Sequence, residues 1–130
     1  MKYILDTDIL VWILRGNKEF IKAIIKITKG KKQAISLISV AEIFKNIFPS
    51  EIKPTEKFLK AHHQLSLNYE VSKKAGLYWK EYIKTKRKIS LLDCFIAATA
   101  KLNNLKVITC NTKHFPMKDI KVINPLKIKI

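Results

Sequence analysis

Apolar positions along the chain change period several times, and each change marks an element. Residues 2–5 read as a short strand that stops at Asp6. Ile9, Leu10, Ile13 and Leu14 then recur at helical spacing up to Arg15-Gly16. Phe20, Ile24 and Ile27, with lysines between them, predict an amphipathic helix over 19–29 that ends at Gly30. A second strand is expected over 34–38, then a helix over 39–48 closed by Pro49, and another from Thr55 to about His63 after Pro54. Residues 65–67 suggest a short third strand.

The second half continues the alternation. Ala75, Tyr78 and Tyr82 form one stripe of a long helix over 71–86 whose other faces are lysine-rich. Residues 90–102 are apolar nearly all round, which implies a helix buried on both sides, and 106–110 and 121–123 finish as strands. Short strands alternating with helices define an α/β class, with a parallel sheet covered on both faces. At 130 residues, without repeats or Gly/Ser linkers, the chain is expected to be one domain over 1–130.

Charge narrows the partners. The sequence has 26 Lys+Arg against 10 Asp+Glu, a net charge of +16, yet 48% of residues are hydrophobic. That is too apolar for a disordered polycation and describes a folded domain with a positive surface. Such a surface suits nucleic acid, an anionic membrane or an acidic protein. Arg15 and Arg87 are the only arginines, so the surface offers point charges more than bidentate forks. Lysine bias in composition explains part of the charge as well. No stretch reaches the roughly 18 apolar residues of a membrane span, no signal-peptide pattern is visible, and Cys94 and Cys110 form no Cys-x-x-Cys pair. A reducing, cytoplasmic setting is the expectation.

The minority charge carries the chemistry. Asp6, Glu42 and Asp93 lie among core-like neighbours, and burying three lone carboxylates costs several kcal/mol per ion unless each is paired, protonated or bound to a cation. Structural roles are available: Asp6 as a helix cap, and Ser39-x-x-Glu42 and Ser90-x-x-Asp93 as capping boxes. All three acids are nevertheless expected at helix N-termini just after strands or loops, where one edge of a parallel sheet gathers its functional residues. The positive end of a helix is expected to keep such carboxylates ionised. An ionised oxygen cluster suits Mg²⁺ or Mn²⁺. No His or Cys cluster offers a zinc site; His62 and His63, expected on one helix, are read as solvated.

Four segments, Leu-Asp-Thr-Asp-Ile-Leu at 5–10, Ser-Val-Ala-Glu-Ile at 39–43, Ser-Leu-Leu-Asp-Cys-Phe-Ile-Ala-Ala-Thr-Ala at 90–100 and Val-Ile-Thr-Cys-Asn-Thr-Lys-His-Phe at 107–115, together resemble the PIN-domain family. More narrowly, they resemble the VapC-type toxin ribonucleases of prokaryotic toxin–antitoxin modules. The resemblance implies a three-layer α/β/α sandwich with a mostly parallel central sheet. It also implies an acidic pocket that binds Mg²⁺ or Mn²⁺ and cleaves RNA. Matched position by position, Asp6, Glu42 and Asp93 are the catalytic, metal-binding acids, while Thr7, Ser39 and Thr109 line the pocket. Asn111 is a further pocket-lining position, where many members carry a fourth acid and others an asparagine; a neutral amide can hold water or substrate there but supplies no charge. Asp8 is read as a first-turn helix acid at the pocket edge, and Asp119 is left unassigned.

Lys45, Lys73, Lys74, Lys80, Lys84, Lys86, Arg87 and Lys88 are candidates to hold the RNA backbone. The resemblance further implies a small cognate antitoxin and a homodimer, with Trp12 and Phe20 as candidate contact residues. Two competing readings remain at this point. Asp6-Thr7-Asp8 after an apolar strand imitates the Asp-x-Asp motif of haloacid-dehalogenase-like phosphatases, and a non-catalytic PIN-like module would use the acids only as caps.

Overall fold

The computed structural model describes residues 2–85 and 88–127. Five short strands, β1 (Tyr3–Leu5), β2 (Ala34–Ser36), β3 (His63–Leu65), β4 (Lys106–Ile108) and β5 (Val122–Ile123), form one sheet in the order β3, β2, β1, β4, β5. Every neighbouring pair is parallel. Six helices surround it: α1 (Thr7–Leu14), α2 (Lys18–Thr28), α3 (Leu37–Phe44), α4 (Ile52–Lys60), α5 (Tyr69–Tyr82) and α6 (Leu91–Leu102).

Alternation along the strands sorts the core into two layers. Ile4, Ala34 and Val107 point to one face, where they pack with Val71, Ala75 and Tyr78 of α5 and Cys94, Ile96 and Ala97 of α6. Leu5, Ile35 and Ile108 point to the other, against Ile9 and Leu10 of α1, Phe20 and Ile24 of α2, Ile43 of α3 and Leu59 of α4. Burial on both faces explains the apolar residues of β1, β2 and β4, whereas the edge strand β3, His-Gln-Leu, is largely exposed. The three-layer α/β/α arrangement is thus the one expected.

Several boundaries differ from the sequence reading. β2 ends at Ser36, and α3 starts at Leu37 with the Ser36 hydroxyl accepting from Ile38 N at 3.1 Å. Ser39 is therefore an interior helical residue, fully buried, and Glu42 lies beyond the first turn, so this pair forms no capping box. α3 stops at Phe44, and Phe48, just before Pro49, is extended and leads into a short 3-10 turn (Pro49–Glu51). α4 begins at Ile52, which puts Pro54 in the first turn, where a missing N–H costs no intrahelical bond. It ends at Lys60, and β3 starts at His63. His62 is half-buried rather than solvated: its Nδ1 lies 2.9 Å from Phe58 O and its ring packs edge-on to Phe58. α5 is capped by Asn68 and ends at Tyr82, short of the expected 86.

The chain runs outward from β1 to β2 and β3, then crosses to β4 and β5 on the other side of β1. The direction of winding reverses between β1 and β4. A crevice at the C-terminal ends of those two strands is the natural ligand site of such a sheet. At the opposite edge, the buried Gln33 side chain ties β1 to the segment entering β2, accepting from Lys2 N (3.3 Å) and Tyr3 N (3.0 Å) and donating to Lys31 O (3.2 Å).

Candidate active site

Asp6 follows β1 directly. Its backbone N–H donates to Ile108 O of β4 at 3.0 Å, and its side chain caps α1 by accepting from Thr7 N at 2.8 Å. The cap expected from sequence is real, and it uses only one of the two carboxylate oxygens. The other accepts the hydroxyl proton of Thr109, which follows β4, at 2.7 Å. Both residues are buried, Asp6 at 5% exposure and Thr109 at 0%.

A second polar pair lies alongside. The Thr7 hydroxyl donates to Glu42 Oε1 at 2.7 Å and lies 2.9 Å from the Ser39 hydroxyl, joining the first turn of α1 to α3. Because α3 starts two residues earlier than expected, Ser39 and Glu42 fall one turn apart on the face turned toward α1.

Asp93 enters from the first turn of α6, where Ser90 is the N-cap and its hydroxyl accepts from Leu92 N at 3.1 Å. The Asp93 carboxylate instead meets His114 of the 3-10 turn Thr112–His114, with Oδ2 at 3.5 Å from Nδ1. His114 belongs to a segment the motif reading quoted, but no local pattern assigned it a role.

Asp8 was underestimated. Its Oδ2 accepts from Cys110 N (3.0 Å) and Asn111 Nδ2 (3.1 Å) and lies 3.3 Å from the Thr109 hydroxyl oxygen. The Thr109–Asn111 loop thus folds over the first turn of α1, and Asn111, an expected pocket residue, reaches the site through Asp8.

Burial and mutual repulsion dominate the electrostatics. Asp6 is pushed up to about 7, first by burial and then by the Asp8 charge; Asp93 adds to the rise, and the bonds from Thr109 and Thr7 N oppose it. Asp93 rises to about 6 through burial, with Glu42 and Asp8 adding and His114 opposing. Asp8 is also raised, chiefly by burial. The expected ionising influence of the helix N-termini is therefore outweighed. Burial lifts Cys94 to about 12 and Cys110 to about 11, so neither supplies a thiolate near neutrality.

The oxygen atoms gathered here belong to carboxylates and hydroxyls, a chemistry that suits a hard divalent cation. Among the described residues no three His, Cys, Asp or Glu side chains form a closed metal cage. The carboxylates are turned toward hydroxyl and amide partners instead. Their raised proton affinity follows first from burial and, for Asp6 and Asp93, also from neighbouring carboxylates.

Of the candidate basic residues, Lys45, Lys73, Lys80, Lys84 and Lys88 are exposed. Lys74 is engaged elsewhere, 3.7 Å from Asp119 and 4.6 Å from the centre of the Tyr78 ring. Lys86 and Arg87 lie outside the described residues. Trp12 and Phe20 stack with centroids 5.3 Å apart, Phe20 in the core and Trp12 at its rim. Next to Glu42, a cavity of about 520 Å³ is lined by Val11, Leu14, Arg15, Ile43, Phe48 and Glu51, among others. Among the described residues, no helix is long and apolar enough to cross a membrane.

Buried carboxylates tied to hydroxyls at the winding reversal of a five-stranded parallel sheet define a small α/β protein with an acidic edge. The chain belongs to the PIN-domain family, whose model matches residues 3–121. It is similar to a Mycobacterium tuberculosis protein named ribonuclease VapC10, with 29% identity over 114 residues covering 88% of this chain and 86% of the relative. Among solved structures it resembles a toxin–antitoxin complex from Klebsiella pneumoniae (TM-score 0.76, 27% identity, covering 98% of this chain and 100% of the other). The fold also matches VapBC-1 from nontypeable Haemophilus influenzae, with a TM-score of 0.82 at 24% identity over 98% of this chain and 100% of the other. Family membership sets aside the haloacid-dehalogenase-like reading of Asp6-Thr7-Asp8.

Proposed function

We propose that this chain is a divalent-metal-dependent endoribonuclease, the toxin component of a toxin–antitoxin pair, and that it acts in the cytoplasm. The observation that carries the reading is the linked set of carboxylates beyond the ends of β1 and β4: Asp6 and Asp8 both approach the Thr109 hydroxyl, and Glu42 accepts from Thr7, the neighbour of Asp6. The relatives' names supply the substrate class.

Asp6 and Asp93 are the principal metal ligands in this reading, with Glu42 completing the acid set. Bound Mg²⁺ or Mn²⁺ would lower the pKa of a coordinated water and offset charge developing on the scissile phosphate. The chain's own groups set the stage. Thr109 orients Asp6 through its 2.7 Å bond, and Thr7 fixes the Glu42 carboxylate at the same distance. Glu42 and Asp93 are the candidates to take the proton of the attacking water. Exposed lysines, Lys45 and Lys88 among them, contribute affinity for the RNA backbone that weakens with salt.

The cavity beside Glu42 is the proposed seat of a small antitoxin, since an occupant would abut the acid pocket while covering the apolar wall formed by Val11, Leu14 and Phe48. A homodimer is proposed on resemblance alone. One observation favours a non-catalytic alternative, namely that Asp6 does cap α1.

Purified protein incubated with total RNA tests the proposal. Cleavage should require Mg²⁺ or Mn²⁺, stop with chelator, and disappear in Asp93→Asn while the fold persists. Cleavage by Asp93→Asn at the parent's rate would overturn the mechanism, and absence of any Asp6- and Asp93-dependent metal binding would favour the capping role.

A further inference from the structure

Asp8 makes contacts that a surface acid in a first helical turn does not require. Its Oδ2 lies 3.3 Å from the Thr109 hydroxyl oxygen, whose single proton goes to Asp6 Oδ2 at 2.7 Å. Two carboxylates thus crowd one hydroxyl, and only one of them receives its proton. Two carboxylates in this position repel when both are ionised, and either a shared proton or a cation beside them relieves the repulsion. The backbone N–H of Cys110 and the amide of Asn111 hold Asp8 in that position, at 3.0 and 3.1 Å.

Those distances also constrain position 111. A carboxylate there would face Asp8 oxygen to oxygen at about the present 3.1 Å, replacing a donor with a second negative charge. The neutral side chain at 111 and the acid at 8 are therefore parts of one arrangement: the charge can stand on either side of this contact, and here it stands on α1.

We propose that Asp8 supplies a fourth ligand carboxylate to the cation of this site, and that Asn111 is the neutral partner which holds it there. The assignment rests on the nuclease reading above. Asp8 then does more than fasten the loop after β4, and moving its charge across the contact should preserve metal binding.

The test is a charge swap read by Mn²⁺ titration, using calorimetry or the loss of the free-ion paramagnetic resonance signal. The proteins compared are the full chain, Asp8→Asn, Asn111→Asp and the double variant. Asp8→Asn should bind Mn²⁺ about tenfold more weakly or worse, while Asp8→Asn/Asn111→Asp should return to within about threefold of the parent. Thermal midpoints in chelator give a second readout. Asp8→Asn should melt no lower than the parent because it removes a repulsive charge, and Asn111→Asp should melt lower. Asp8→Asn that binds Mn²⁺ like the parent but melts lower would make Asp8 a loop fastener only and overturn the proposal. A folded double variant that binds no better than Asp8→Asn would overturn it as well. If Mn²⁺ binding by the parent is indifferent to Asp6→Asn and Asp93→Asn, the nuclease reading falls and this assignment with it.

Discussion

Thr109 donates its hydroxyl proton to Asp6 at 2.7 Å, joining residues 103 positions apart in the chain. Both are buried, so no water stands ready to replace the bond. Thr109→Val keeps the shape and removes the donor. It should cost about 1–3 kcal/mol of stability at pH 8, where Asp6 is mostly ionised, whereas Thr109→Ser should retain most of it. Urea unfolding at that pH measures the difference, and equal midpoints for Val and Ser would show that the bond contributes nothing.

The pH dependence of the metal-free protein has a defined sign. Asp6 and Asp93 titrate near 7 and 6 in the fold, against 3.8 in an unperturbed chain, so the folded state binds the more protons between those values. Their contribution to stability is fully present below about pH 4 and is lost as pH rises through 6 and 7. In chelator, melting temperature should therefore fall from pH 5.5 to 8, and Asp6→Asn should flatten that fall. His62, lowered by burial, works in the opposite direction, so the comparison with Asp6→Asn isolates the acid pocket. Saturating Mn²⁺ should remove the decline. A parent and Asp6→Asn with parallel pH profiles would count against the raised carboxyl.

Thr7 and Glu42 should behave as a unit in catalysis. Thr7→Val removes the donor that fixes the Glu42 carboxylate and should slow RNA cleavage about tenfold, and Glu42→Gln more. If Thr7 acts through Glu42, the double variant should be little worse than Glu42→Gln alone. Multiplying rate losses would separate the two residues and give Thr7 a role of its own.

Away from the site, Gln33→Leu should destabilise the fold by about 1–3 kcal/mol, because it leaves the amide of Tyr3 and the carbonyl of Lys31 without their side-chain partner. Cleavage rate measured well below the melting range should stay unchanged, since this tie lies at the opposite edge of the sheet from the acids. A parallel loss of activity would imply that the register of β1 reaches the pocket.

Most of the sheet and its helices were legible because period and punctuation agree: short apolar runs for strands, lysine-striped faces for helices, Pro49 and Gly30 at the breaks. β3, expected over 65–67, lies at His63–Leu65, where an exposed edge strand carries His and Gln in place of an apolar run. The start of α3 was not. Ser36 and Ser39 both precede an apolar run and are locally equivalent as caps, and the choice was made by β2 pairing with β3 through Ser36 and Leu65. The acids Asp6, Glu42 and Asp93 stood out by their apolar surroundings; the fold sets Glu42 on Thr7, the neighbour of Asp6, and Asp93 against His114. Asp8 and His114 did not stand out, because each looks like an ordinary surface residue until residues roughly 20 to 100 positions away, Asp93 for one and Thr109–Asn111 for the other, are folded against it. The pairing of Lys74 was hidden for a related reason, since its partner Asp119 lies 45 positions further along the chain.

The pairing of β1 with β4 has a consequence for synthesis. Asp6 leaves the ribosome 103 residues ahead of Thr109, and β1 is made long before the strand it must pair with. A growing chain therefore carries its acids in disconnected pieces, and the Asp6–Thr109 contact closes only after β4 has been made. Whatever chemistry those acids perform is withheld from the nascent chain until that pairing.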